Sequence, residues 1–311
     1  MSSRNIGVLL LAFGGPDSPE AIEPFMKNLM GGKIPPPPLV EKIKARYNLI
    51  GGQSPLPGIT RQQADRLQAY LQKAGGSFKA AVGMRFWHPF IEEGLQDLLA
   101  DEFDQIVAVS LAPFYSQVST GSYHDELNRV LSAINGNKPE VVMADPLYNK
   151  LAFIEAVAEK VQKGLGALPE GVKGKTKIIF SAHSLPVSYI ENGDPYVEQF
   201  EFTAQKIADK LQLENWCIAY QSKGGGQGEW LGPMVEEIMD EAKKEGFSDI
   251  LVIPVGFVSD HVETLYDIDI AQREHAKSLG LGFYRTASLN TADSFTKALA
   301  ELVLEKYRYS L

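Results

Sequence analysis

One cysteine, Cys217, is present in a chain of 311 residues. This excludes an internal disulfide framework, a four-cysteine zinc site and an iron–sulfur cluster held by a single chain. Cys217 itself reads as a small buried hydrophobe. Long apolar runs are also missing: residues 6–13 and 250–258 are the longest, and Pro254 and Gly256 interrupt the second. Neither approaches the ~18 residues of a membrane span. Arg4 ahead of the first run has the look of a signal-peptide start, but no small-x-small site follows and the run ends in the turn Gly14-Gly15-Pro16. A soluble, cytoplasmic protein is expected. Basic residues are in deficit, 30 against 39 acidic ones for a net charge of −9. Nucleic acid is therefore not an expected partner, since its binding rests on Lys and Arg at phosphates.

What is present is a globular composition, 44% apolar and 22% charged, close to soluble averages and ample for a sizeable core. The length suggests two domains or one large α/β unit. Near-continuous Val/Ile/Leu runs at 6–12, 79–84, 105–111 and 140–143 form one set, and those at 177–182, 216–220, 250–255 and 281–284 form a second. Such runs suit parallel strands buried on both faces. Amphipathic stretches at 60–73, 90–101, 151–164, 195–211 and 233–245 separate them, and 294–307 reads as a closing helix. Alternation of this kind argues for βαβ units. The third strand of each set leaves through a similar pattern, VAVSLAPFYS and LVIPVGFVS. Two similar α/β domains are expected, 1–148 and 149–311, although no flexible linker marks the junction. Residues 31–39, GGKIPPPPL, read as a stiff polyproline loop.

Ligands of open α/β sheets gather at the carboxyl ends of strands. His183 follows one apolar run there, and the segment from Asp260 through His261 and Glu263 to Asp267 follows another. An imidazole and a carboxylate from two strand ends can hold a divalent first-row metal with positions left open, or pass protons. Two ligands are too few for a closed structural site. A bland alternative stands beside each: His183 as a hydrogen-bonded strand-end residue, Asp260 as a helix N-cap, and Glu263 with Asp267 as a solvated face. His261 and Glu263, two apart, would diverge on a helix. Gly174-Lys175-Thr176 fails as a phosphate loop because Pro169 replaces the earlier glycine and a strand follows. Gly224–Gly226 lack dinucleotide spacing, and Trp230 beside them offers a flat apolar surface instead. Arg46 and Ser54 flank a Gly-rich turn and could receive a carboxylate.

Six segments carry a resemblance: SAHSLP at 181–186, QSKGGGQGEWLGP at 221–233, PVGFVSDHVETLYDIDI at 254–270, GGQSPL at 51–56, LAPFYS at 111–116 and LLAFGGPDS at 10–18. Together with the closing RTASLN and FTKAL they resemble the ferrochelatases, which insert ferrous iron into a porphyrin in haem synthesis. The resemblance covers essentially the whole chain. It implies a chelatase-like α/β fold, two similar Rossmann-like domains with parallel sheets and a porphyrin cleft between them. His183 and Glu263 are then the catalytic pair and, with Asp267, the metal residues. Phe13, Arg46, Ser54, Tyr123 and Trp230 are the implied substrate-binding positions. Iron is implied as a substrate, with no permanently bound cofactor and no iron–sulfur cluster. The implied partners are the porphyrin and ferrous iron, and the chain is expected to be a monomer.

Three departures from the family pattern stand out. Phe13 replaces a Tyr or Met of some relatives and cannot ligate iron. The rim 29–33 lacks the Arg residues of short bacterial relatives, leaving Lys33, Arg46 and Arg85. Ala271 stands where some relatives continue the acidic ridge. The short stretch between Gly31 and Gly51 and the lack of a C-terminal extension resemble compact enzymes for coproporphyrin III, while the Arg-poor rim argues mildly for protoporphyrin IX; coproporphyrin III is favoured of the two. Residues 34–40 read either as a solvent loop or as an apolar lip for peripheral membrane contact. A porphyrin or haem carrier, or a chelatase for another metal, is the alternative reading.

Overall fold

The computed structural model describes residues 5–135, 138–226 and 228–309. Its strands are β1 (Asn5–Ala12), β2 (Ser77–Met84), β3 (Gln105–Ser110), β4 (Glu140–Met143), β5 (Thr176–His183), β6 (Trp216–Gln221), β7 (Asp249–Ile253) and β8 (Gly282–Arg285). They form two four-stranded sheets of identical plan, β2-β1-β3-β4 and β6-β5-β7-β8, with every pairing parallel. The chain is thus α/β, with each expected apolar run realised as a strand. In the inner strands β1, β3 and β7 nearly every residue is buried. This is why they read as unbroken Val/Ile/Leu runs rather than as alternating ones.

The chain divides into two compact units, one of Met1–Ala112, Gln117–Leu147 and Asn290–Leu311, the other of Pro113–Ser116 and Tyr148–Leu289. This differs from a cut at 148/149 in two places. The closing helix, Asp293–Tyr309, packs on helix Leu56–Lys73 and β3 of the first unit, where Arg66 meets Asp293 at 2.8 Å and Lys306 meets Asp145 at 2.9 Å. Its apolar face, from Phe295 to Val303, is buried there. Residues Pro113–Ser116 belong to the second unit because Phe114 is fully buried against Tyr196 and Phe200, at ring distances of 5.9 and 5.5 Å.

The proline run also differs from expectation. Pro37 and Pro38 open helix Pro37–Leu49 instead of continuing a loop. A proline in the first helical turn has no N–H to lose and a backbone angle already suited to the helix. Two segments are wound more widely than α-helix, Gln117–Gly121 after β3 and Glu263–Gln272 after β7, so the two units share even this feature. Among the described residues no helix is long and apolar enough to cross a membrane.

Replacing Phe114 by Ala removes the aromatic plug that seats Pro113–Ser116 in the second unit. We expect a loss of roughly 3–5 kcal/mol, the usual cost of emptying such a site, read from urea unfolding. A loss below about 1 kcal/mol would show that the segment is held by other contacts.

Candidate active site

His183 closes β5, at the carboxyl end of a central strand of the second sheet. Its Nδ1 lies 2.5 Å from the Ser184 carbonyl. A carbonyl can only accept, so Nδ1 carries the proton and Nε2 faces outward. The Tyr196 hydroxyl donates to the His183 carbonyl at 3.0 Å, and the fully buried Ser184 donates to Leu231 at 2.8 Å. Backbone and ring are therefore both pinned.

Glu263 arrives from the wide helix Glu263–Gln272 after β7. In such winding hydrogen bonds run from i to i+5, and side chains four apart come near one line. Thr264, Ile268 and Gln272 form its buried face. Ile268 joins the core packed on β5, β6 and β7. Glu263 and Asp267, each one position before a buried residue, share the neighbouring line. Gln221, fully buried at the end of β6, donates to the Glu263 carbonyl at 2.9 Å, and Ser222 donates to the Asp267 carboxylate at 2.5 Å.

The Glu263 carboxylate is shared between two imidazoles. Its Oε1 lies 3.4 Å from His183 Nε2, and its Oε2 lies 3.5 Å from His261 Nε2. His261 Nδ1 faces the Ser259 carbonyl at 3.0 Å, which sets the same tautomer as in His183. Helical spacing suggested that His261 and Glu263 diverge. They converge because His261 stands on the non-helical lead-in, its N–H accepted by the Thr264 hydroxyl at 3.0 Å. Asp260 does not cap the helix either, since its carboxylate accepts from Arg285 and Ser288.

Burial disfavours charge on both members of the pair. For His183, the Glu263 charge and hydrogen bond, the Ser184 carbonyl and Asp267 more than offset that penalty and raise its pKa to about 9. For Glu263, burial works upward, but His183 and His261 hold the carboxyl far below the usual carboxylate range. The resting pair is imidazolium and carboxylate. His183 and Glu263 side chains are about one-third exposed, 32% and 27%, so a metal or a proton acceptor can reach them. Among the described residues no group of three or more His, Cys, Asp and Glu closes round one point. The donors form an open set rather than a structural coordination sphere.

Trp230 belongs to the same unit. The strap 229–231 bonds back to 185–187, with Val187 donating to Glu229 and Leu231 to Leu185, which keeps the indole beside the loop after His183. Gly224 is required there, because a Cβ at that position would come within 2.5 Å of the Trp230 ring. Gln227, inside the same motif, lies outside the described residues.

In the first unit, Phe13 follows β1, 41% exposed, with its ring 4.8 Å from Phe86 and 6.4 Å from Phe25. It offers apolar surface and no ligand atom. Arg46, half-buried, lies in the last turn of helix Pro37–Leu49. Two of the implied substrate positions are buried. Tyr123 does not line an open surface: it is buried in the core with Leu9, Leu11 and Ile91, and burial raises its phenol well above the ordinary range. Ser54 is buried as well, its hydroxyl accepting the Leu56 N–H at 3.3 Å against Gly15. In that bond the hydroxyl acts as an acceptor at the start of helix Leu56–Lys73.

The second unit thus combines a parallel sheet with an open imidazole–carboxylate set at a strand end. Solved structures share the fold: SirB from Bacillus subtilis, described with Fe3+, matches with TM-score 0.61 at 13% identity, over 97% of this chain and 95% of that one. At the sequence level the ferrochelatase family profile matches residues 5–307. A ferrochelatase of Deinococcus radiodurans is 36% identical over 307 residues, 98% of this chain and 97% of that protein. A coproporphyrin III ferrochelatase of Geobacillus kaustophilus is 35% identical over 310 residues, 99% and 98% of the two chains. The chain belongs to the ferrochelatase family, enzymes that insert metal into a porphyrin.

Because its pKa is raised, protonated His183 stabilises the fold below its ordinary value of 6.5, and that contribution fades as the pH climbs towards about 9. In Glu263→Gln the carboxylate is gone and burial dominates, so the His183 pKa should fall to near or below 6.5. An NMR titration of its ring proton reads this directly. A value unmoved from about 9 would mean that another group holds the proton.

Proposed function

We propose that this chain inserts ferrous iron into a porphyrin in haem biosynthesis, with coproporphyrin III as its preferred substrate. The observation that carries the reading is the Glu263 carboxylate held between His183 and His261 at an accessible strand end. A free porphyrin has two inner N–H protons, and both must leave before the four nitrogens can take up Fe2+. The balanced step is porphyrin plus Fe2+ giving the iron porphyrin and two protons. His183, once its resting Nε2 proton has passed to solvent by way of Glu263 and Asp267, accepts one pyrrole proton at Nε2 and releases it by the same route before the second follows, and Glu263 stabilises each imidazolium that results. Asp267, next along the helix, passes the charge onward or draws in the cation. The same donors, one imidazole nitrogen and one carboxylate oxygen, suit transient contact with ferrous iron.

Phe13 and Trp230 supply apolar faces for the macrocycle, each within its own unit. Arg46 supplies a cation for a propionate carboxylate. Preference for coproporphyrin III is supported by the named activity of the Geobacillus relative. Iron is substrate here, and no permanently bound cofactor or iron–sulfur cluster is required. We place the protein in the cytoplasm as a monomer. Ile34, 79% exposed beyond the Gly31-Gly32 turn and flanked by Leu29 and Leu39, gives a peripheral contact with a membrane surface.

The test is anaerobic insertion with purified protein, Fe2+, and coproporphyrin III or protoporphyrin IX, followed by visible absorbance. We expect faster turnover with coproporphyrin III and a loss of about 10²-fold in His183→Ala, the usual size of a missing acid–base group. Soret shifts without insertion would favour a porphyrin carrier, and near-normal turnover by folded His183→Ala would remove His183 from the chemistry.

A further inference from the structure

Arg285 ends β8, paired with Val252 on β7, and its guanidinium is only 11% exposed. Its Nε and Nη2 donate to the two oxygens of Asp269 at 2.8 and 2.7 Å, a planar fork. Its Nη1 donates to Asp260 at 3.0 Å and to the Thr286 carbonyl at 3.2 Å. Ser288 donates to the same Asp260 oxygen at 3.0 Å. Asp260 precedes His261 on the lead-in, and Asp269 lies inside the wide helix, so the two carboxylates bracket Glu263 and Asp267 along the chain. Neither carboxylate belongs to the shared set formed by His183, Glu263 and His261.

We propose that Arg285 is a positioning residue of this site: by tying the lead-in at Asp260 to the wide helix at Asp269, it sets the direction in which Glu263 presents its carboxylate. The role needs a guanidinium. Three donors in one plane serve two carboxylates at once, whereas an ammonium is a point charge that cannot keep the fork. The bonds are largely shielded from solvent, so they hold geometry more firmly than an exposed ion pair does. Wide helical winding is less favourable than α-winding and persists where neighbours enforce it. The fork to Asp269 and the bond to Asp260 constrain the winding from both sides of Glu263. The inference rests on the metal-insertion reading of the site.

Arg285→Lys and Asp269→Asn, assayed well below their thermal midpoints, should lower kcat for insertion at least tenfold. The porphyrin KM should stay within about twofold, because no contact to the macrocycle is touched. Co2+ affinity, read without porphyrin from visible absorption, should fall in parallel, and Lys should recover none of it. A kcat within twofold of wild type in either folded variant, or equal changes in kcat and KM, overturns the proposal. Should both variants fail to fold, Ser288→Ala is the deciding variant, since it loosens Asp260 without leaving a charge unpaired. A kcat loss of twofold or more is then expected, and an unchanged kcat overturns the proposal. A wild-type protein that inserts no iron would refute the functional reading instead, while its Co2+ affinity would still report on Arg285.

Discussion

One half-buried carboxylate between two imidazoles governs the second unit. Taking Glu263 out of water costs free energy, and the cost is tolerable only because His183 and His261 approach it from either side. The arrangement stores one proton on His183 at neutral pH. A metal competing for Nε2 or a rising pH removes that proton. On the proposed function, the group that accepts a pyrrole proton and the group that touches iron are the same nitrogen, so proton and metal would exclude each other there. Both Nδ1 atoms are committed to carbonyls, which leaves each histidine a single face for chemistry.

The fold supplies the supports for that pair by repetition. Each sheet has the same strand order, and each follows its third strand in chain order with a widely wound segment. In the first unit that segment leads to the buried Tyr123, while the exposed Phe13 and the half-buried Phe86 follow β1 and β2. In the second unit the equivalent strand ends carry ionisable groups, and the wide helix carries Glu263 and Asp267. One plan, given different side chains at matching strand ends, thus carries aromatic side chains in one unit and an imidazole–carboxylate set in the other.

The strands were legible in the sequence because strands buried on both faces leave unbroken apolar runs, and 6–12 and 250–255 mark β1 and β7 closely. His183, Glu263 and Asp267 stood out because they follow such runs at a carboxyl end. His261 reads as diverging from Glu263 because helical spacing separates i from i+2, a rule that fails on a non-helical lead-in. Arg285 lies far along the chain from Asp260 and Asp269, and no local pattern announces a tertiary fork. Tyr123 and Ser54 matched family motifs, yet motif position says nothing of burial, and both side chains are turned inward. The closing helix follows the second set of strands but packs on the first unit, because an amphipathic pattern reveals an apolar face and not the surface that covers it.

X-ray absorption of ferrous iron bound anaerobically to the porphyrin-free protein tests the central claim most directly. Imidazole nitrogen and carboxylate oxygen from His183 and Glu263 are expected among the iron's nearest neighbours, with the imidazole signal lost in His183→Ala. Oxygen neighbours alone, unchanged by that substitution, would place the iron elsewhere and contradict the shared role of the pair.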